Sequence, residues 1–388
     1  MNKTYDAIVV GAGSVGLPSA YNLAKEGLSV LVLDKRSSAG QGENKAAIGG
    51  IRATHSDPAK ILLCTRSLEL MSHWEEEHGM SVGWKPGGYA FPVYTDNLET
   101  KLKALLEKQH AYKLAIDWVD AETMAELIPG IAKTDLRGGT YSPNDGQIST
   151  IKVPIAYQRA AQELGTVFQF GEKVTGYEIE NGKIQAVVTD KGRYPTKHLV
   201  IATGADAATD GKHLGIEIPV QPDAHEAGIS APVEHFLKPL VVDLRPGPEG
   251  KTANFYFGQN EEGQIIFCYT PKELFVGTQR ESLSEFLPIL ASRMISLVPR
   301  LRNLLVRRIW RGCYPMTPDG IPIIDRVKQI EGLTLAVGMC GQGLMVGPGA
   351  GELVARLVTH GESTLPADVQ RLLSYERDFY ASSTEALK

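Results

Sequence analysis

The chain opens on an apolar run of strand type, Tyr5-Asp-Ala-Ile-Val-Val10, followed at once by Gly11-Ala-Gly13-Ser-Val-Gly16. Leu17, Ala20, Tyr21 and Leu23 then recur at helical spacing up to Gly27, a C-terminal cap. A second apolar run, Ser29-Val-Leu-Val-Leu33, ends at Asp34. The pattern predicts strand, glycine turn, helix, strand and acidic residue. Lys173 to Pro195 predicts two strands with turns at Asn181-Gly182 and Lys191-Gly192, and His198-Leu-Val-Ile201 a strand ending in Ala202-Thr-Gly204. Near the C-terminus, Gly332 to Gly338 predicts another strand. It runs through Gly341-Gln-Gly343-Leu-Met-Val-Gly347-Pro-Gly-Ala-Gly351 to a helix from Glu352 to His360, with Leu353, Val354 and Leu357 on one face. Residues 90–149 and 221–309 show no such α/β alternation. Within them, Asn254 to Tyr269 reads as a hairpin around Glu262-Gly263, and Ser282 to Arg302 as a helix.

The first glycine turn has a physical reading. Gly11 permits a tight turn, Gly13 lets the backbone approach a pyrophosphate, and Gly16 lets the helix pack close to the strand. Phosphates sit at the helix N-terminus, where free N–H groups and the macrodipole favour negative charge. Asp34, 18 residues after Gly16, can accept hydrogen bonds from ribose hydroxyls. The bland alternative is a structural turn in some other α/β protein. The fingerprint alone does not separate FAD from a nicotinamide dinucleotide. Gly40 to Gly50, long and glycine-rich, suits a cofactor running past the pyrophosphate, or else is a mobile surface loop.

Length and composition narrow the classes. At 388 residues the chain exceeds what one core usually supports, so two domains or one large insertion are expected. A net charge of −5 argues against broad binding to nucleic acid. No apolar stretch approaches the ~18–20 residues that span a bilayer, and no export signal precedes the first strand. Cys64, Cys268, Cys313 and Cys340 form no CxxC pair, so reduced thiols, a cytoplasmic location and no metal centre are expected.

Taken together, the N-terminal fingerprint, Gly50-Ile-Arg52, Gly87-Gly-Tyr89, Pro143-Asn-Asp-Gly146, Ala202-Thr-Gly204, Gly312-Cys-Tyr-Pro-Met-Thr-Pro-Asp319 and the glycine run from Gly338 resemble the D-amino-acid oxidase superfamily. The nearest likeness is to its sarcosine oxidase and amine dehydrogenase branch, with the beta subunits of sarcosine oxidase and dye-linked L-proline dehydrogenase. The resemblance covers nearly the whole chain. It implies an α/β fold with a Rossmann-like FAD-binding domain built from residues 1–89, 150–220 and 310–388. An α+β, sheet-rich substrate-binding domain would comprise residues 90–149 and 221–309.

The cofactor implied is non-covalent FAD. Its phosphate and adenosine end would meet Gly11, Gly13, Ser14, Val15, Gly16, Asp34 and Lys35, with Val174, Ala202, Thr203 and Gly204 beside it. Gly42, Lys45, Ala46, Gly49 and Gly50 would follow its length, and Gly312, Gly338, Gly341, Gln342, Gly343, Leu344 and Met345 would abut the flavin ring. There the N–H groups and helix N-terminus would stabilise negative charge on the reduced ring.

The substrate implied is a small amine or amino acid, whose α-carbon passes a hydride to flavin N5 and leaves an imine. Such chemistry rests on the cofactor, so no acid–base triad is needed. The site needs an anchor for a carboxylate. Arg52 stands where relatives carry an arginine facing it; the other reading of Arg52 is a partner for phosphate or a structural carboxylate. His55, Gln342 and Tyr256 are further catalytic candidates, and Tyr269 and Tyr314 read equally as pocket or core aromatics.

Several positions depart from the family pattern. Gln342 replaces a common His, Met345 replaces the Lys of sarcosine oxidases, and Asp206-Ala207 stands where a Trp is frequent. The cysteine that carries covalent FAD in monomeric sarcosine oxidases falls at Gly312. Cys313, one position on, would point to the other face of a strand.

Three functions follow. The first is an FAD-dependent oxidase or dehydrogenase for a secondary amine such as proline, hydroxyproline or sarcosine, or for glycine. The second is a flavin-carrying electron-transfer subunit with partner subunits or an external acceptor. The third is a nicotinamide-dependent dehydrogenase.

Overall fold

The computed structural model describes residues 4–381. Residues 1–3 and 382–388, which fall in the ranges expected for cofactor binding, lie outside the described residues.

Two large sheets dominate. In the first, Tyr5–Val10 pairs in parallel with Val30–Asp34 on one side and with Arg193–Ile201 on the other. Val167–Phe170 extends the parallel array beyond Val30–Asp34, and Leu333–Val337 pairs in parallel with the end of Arg193–Ile201. Parallel strands buried on both faces read as near-continuous apolar runs, which is how VLVLD and AIVV look. The period of two still sorts them. Ala7, Val9, Val30 and Val32 belong to one core cluster, and Ile8, Val10, Leu31 and Leu33 to the one on the opposite face.

The first face is covered by helices Gly16–Lys25, Pro58–His78, Lys152–Glu163 and Gly343–His360. The last starts at Gly343, not at Glu352 as the pattern predicts. Its glycines lower helix propensity, which hides the helix in the sequence, yet they set its packing. A Cβ at Gly347 would stand 1.8 Å from the carbonyl oxygen of Ser14, and one at Gly351 would stand 2.5 Å from Pro18. Only bare backbone lets this helix lie against the first one.

The second sheet is ordered Val306–Met316, Gln221–Pro232, Gln264–Pro271, Thr252–Gln259, Leu240–Asp243, Tyr89–Val93, Gly138–Ser142, Asp117–Val119. The expected hairpin is present as Thr252–Gln259 and Gln264–Pro271. Strand Val306–Met316 carries this sheet past the boundary expected at 309/310. The helix expected over 282–302 is shorter, Phe286–Leu297, and a 3₁₀ turn follows at Pro299–Asn303. Residues 90–149 do alternate: helices Asp96–Ala111 and Ala121–Leu127 separate the strands, which pair antiparallel. Here too the faces alternate. Ala90, Val241, Phe255 and Phe257 pack with helix Phe286–Leu297, while Tyr89, Phe91 and Leu240, with Tyr256 packed against them, lie on the other face. A small sheet of Gly50–Ile51, Gly146–Gln147 and Lys85–Pro86 lies between.

Candidate active site

One cavity of about 680 Å³ joins the C-terminal edge of the parallel sheet to the Tyr89–Tyr256 face of the second sheet. That volume lies within the ~300–1,000 Å³ usual for ligand sites.

At one end stands the first glycine turn. Gly11 has φ 106°, and a Cβ there would lie 2.4 Å from the carbonyl oxygen of Ala202, so the turn and the Ala202-Thr-Gly204 segment touch backbone to backbone. Gly16 does not line the cavity; it packs on the carbonyl of Gly11, the role the fingerprint assigns it. Gly13, Ser14 and Val15 do line it, and among the described residues their N–H groups have no acceptor. Such a helix N-terminus is a site for an anion. Asp34 borders the cavity with Lys35, but both its oxygens also hold backbone: Oδ2 accepts from Ala12 N and Oδ1 from Arg36 N, each at 2.7 Å. The acid thereby braces the turn.

The last glycine turn enters the same cavity. Gly338, Gly341, Gln342, Gly343, Leu344 and Met345 all line it. Helix Gly343–His360 begins here, and the N–H groups of Gly343 and Leu344 are likewise open among the described residues. The side-chain oxygen of Gln342 is buried without a hydrogen-bond partner. A buried unpaired polar atom is costly, so it marks a place for a donor.

The loop at 40–50 is packed rather than loose. Glu43 accepts from Cys313 N at 2.6 Å and pairs with Arg280. Trp310 Nε1 donates to the Ala46 carbonyl at 2.9 Å, and a Cβ on Gly312 would press on Ala46. Gly42, Ala46, Gly49, Gly50, Val174, Thr203 and Gly312 line the cavity. Lys45 does not: the short 3₁₀ turn Asn44–Ala46 points it to solvent, where it meets Gln41. The Cys313 thiol donates to the Gly277 carbonyl at 3.5 Å.

At the far end, Arg52 enters the cavity 8% exposed. Its Nη1 donates to the Thr54 carbonyl, and its guanidinium stands 5.8 Å from the Phe91 ring centre. Tyr89, Phe91, Leu240, Val242 and Leu244 provide apolar walls. His55 lies outside the cavity and is fully buried, four residues after strand Gly50–Ile51. Tyr269 also lies outside, packed on Phe286 in the core. Tyr256 and Tyr314 line the cavity with their hydroxyls 2.8 Å apart. Burial pushes the Tyr256 hydroxyl well above the usual phenol range and the Cys268 thiol beside it to about 12, so both stay protonated.

Sequence reasoning missed His225. Its Nε2 meets Asp223 Oδ2 at 2.8 Å, its ring stacks on Tyr314 at 3.9 Å, and its buried Nδ1 has no partner. It lines the cavity with Glu226 and Asn254. These residues sit on strands of the motif-poor second sheet, and no spacing signal in the sequence marks them. Asp145 is marked in the sequence only as part of the segment Pro143-Asn-Asp-Gly146.

Two helix N-termini, one at the first glycine turn and one at the last, thus face the same cavity. Residues 6–357 match the FAD dependent oxidoreductase family, DAO, and the chain belongs to it. It is an FAD-dependent oxidoreductase, and FAD is its cofactor. The chain is 26% identical over 385 residues to the sarcosine oxidase subunit beta of Rhizobium meliloti, covering 97% of this chain and 89% of that one. It is 29% identical over 371 residues to the bifunctional protein ThiO/ThiG of Synechocystis, of which it spans 52%. The crystal structure of L-proline dehydrogenase from P. horikoshii superposes with a TM-score of 0.90 at 30% identity, covering 96% and 98% of the two chains. Among the described residues no helix is long and apolar enough to cross a membrane, and no cluster of metal-ligating side chains occurs.

Proposed function

We propose that this chain oxidises a small amine or amino acid, in the size range of proline, hydroxyproline, sarcosine or glycine, with non-covalently held FAD as the electron acceptor. The observation that carries the reading is Arg52: a desolvated guanidinium, among apolar walls, in the same cavity that two open helix N-termini line. The likeness to a sarcosine oxidase subunit and to an L-proline dehydrogenase supports it.

The chain's own residues fit FAD. The N–H groups of Gly13, Ser14 and Val15 take the pyrophosphate, and those of Gly343 and Leu344, with the Gln342 side chain, take the flavin's polar edge. Bound there, FAD supplies a two-electron acceptor for a hydride from the substrate's α-carbon. Arg52 binds the substrate carboxylate and orients the α-carbon. Tyr89, Phe91, Leu240 and Val242 exclude water from that end. The amine must be neutral to lose a hydride. His225 holds the proton it sheds at Nδ1, while Asp223 keeps Nε2 occupied and the ring in place. The first sheet and its helices form the cofactor-binding part, and the second sheet forms the substrate-binding part.

A second reading, a flavin-carrying electron-transfer subunit, is favoured by the relative that is itself a subunit. One experiment separates the two. The FAD-loaded chain is mixed anaerobically with a panel of amines and its flavin absorption followed. Bleaching by a secondary amine or glycine supports the enzyme. A flavin spectrum that no amine bleaches overturns it in favour of the subunit.

A further inference from the structure

Resting on Arg52 as the carboxylate anchor, we infer that Asp145 is the positioning residue that aims it. Asp145 immediately precedes strand Gly146–Gln147, and that strand pairs with Gly50–Ile51 so that Ile51 faces Gly146. The register places Asp145 beside the residues that follow Ile51. Its Oδ1 accepts from the backbone N–H of Ala53 and its Oδ2 from the hydroxyl of Thr54, both at 2.9 Å. Its own carbonyl accepts from Gly88 N at 2.9 Å, which ties this corner to the start of Tyr89–Val93. The Thr54 carbonyl in turn accepts from Arg52 Nη1. The chain of contacts is therefore continuous: Asp145 fixes the Ala53–Thr54 turn, the turn fixes a carbonyl, and the carbonyl holds one arm of the guanidinium.

Holding a carboxylate at this place is expensive. Asp145 is 1% exposed, and a buried charge costs free energy unless it is hydrogen-bonded and paired. Hydrogen bonds from Ala53, Thr54 and Ser142 offset most of that cost, and the charge of Arg52 adds to them. Charge-assisted bonds are short and directional, so a carboxylate sets the turn more sharply than a neutral acceptor does. A guanidinium recognises a carboxylate through planar, bidentate geometry, and it loses that recognition when its plane is free to rotate. The ligand class this serves is a small monocarboxylate with its anion at Arg52.

The test uses the FAD-loaded chain and two probes of one shape, cyclopentanecarboxylate and cyclopentanecarboxamide, titrated calorimetrically. Asp145→Asn keeps the size and one acceptor oxygen but loses the charge and the second acceptor. Thr54→Val removes the Oδ2 partner and leaves Asp145 intact. Asp145→Asn is expected to weaken the carboxylate by about tenfold, the worth of one charged hydrogen bond, and leave the amide within about twofold. Thr54→Val is expected to shift the carboxylate in the same direction by less, and it decides the matter alone if Asp145→Asn fails to fold. Equal losses for both probes mean a merely structural role and overturn the proposal. So does an unchanged carboxylate affinity in a variant where Arg52→Ala abolishes it. If Arg52→Ala itself leaves the carboxylate bound, the anchor reading fails first, and that outcome is distinct from the others.

Discussion

A guanidinium is the one cation that keeps its charge wherever it is buried, and Arg52 is buried against aromatic rings at the end of the cavity. Removing it leaves a bound carboxylate with no partner in a dry place. Arg52→Ala is expected to cost ~2–4 kcal/mol in kcat/KM for carboxylate-bearing amines, and far less for amines without a carboxylate. Equal loss for both kinds would take Arg52 out of the site. His225 makes a different prediction, because its loss can be repaired by solvent. If its Nδ1 takes the amine proton, His225→Gln should lower kcat/KM at neutral pH by ~10²-fold and recover as pH rises and the amine deprotonates unaided. A deficit that stays constant with pH would contradict that role. Asp145 adds a titration of its own. Burial is the main cause that lifts its carboxyl to about 6, while hydrogen bonds from Ala53, Thr54 and Ser142, and then the charge of Arg52, work against the lift. Above pH 6 the carboxylate accepts from both Ala53 and Thr54; below it, protonation gives up one acceptor and loosens the Arg52 turn. Carboxylate probes should therefore bind less tightly as pH falls through about 6. Asp145→Asn should bind them with no such step, as read by calorimetry across that range.

Whole elements put those residues in place, and two glycines show how. The Gly343–His360 helix reaches the cavity only because Gly347 lies on the Ser14 carbonyl. Gly347→Ala must push the helix away from the first glycine turn, so it is expected to destabilise the fold by roughly 1–3 kcal/mol and to weaken FAD as well. Gly13 is the contrast. A Cβ there meets nothing within 4 Å in the protein, but it occupies the path to the pyrophosphate. Gly13→Ala should unfold within about 0.5 kcal/mol of the parent without cofactor, while its FAD affinity collapses. Parallel thermal melts and FAD titrations of the two variants check both, and loss of apo stability in Gly13→Ala would contradict the pairing. The same glycines explain what was legible in the sequence. Tyr5–Asp34 reads clearly because strand, turn and helix each follow their own period within one short stretch. The last helix reads in the sequence as starting at Glu352, nine residues after its true start at Gly343, because residues kept small for packing look like a loop. His225 and Asp145 face the cavity or its anchor through sheet register between distant strands, and no local pattern encodes register.

At the scale of the molecule, the cavity is shared property. Its walls come from the parallel sheet, from the 40–50 loop and from strands of the second sheet, and Glu43 already bridges the loop to Cys313 and Arg280. A ligand lying along it touches both halves at once and binds only when both are folded. Such a ligand stabilises by mass action, by about 2.7 kcal/mol when free FAD is a hundredfold above its Kd. The melting temperature should therefore climb with FAD concentration by several degrees. The more telling expectation is cooperativity. With FAD present, signals from the two sheets should fall together. In a variant with Trp74, Trp84 and Trp118 replaced by Phe, Trp310 fluorescence reports the second sheet beside the 40–50 loop, and flavin release reports the first. With FAD removed, that coupling drops to the direct contacts between the sheets, and the fluorescence transition should broaden. Superimposable melts at every FAD concentration, with no shift in midpoint, would mean that the cavity does not bind the cofactor across both halves.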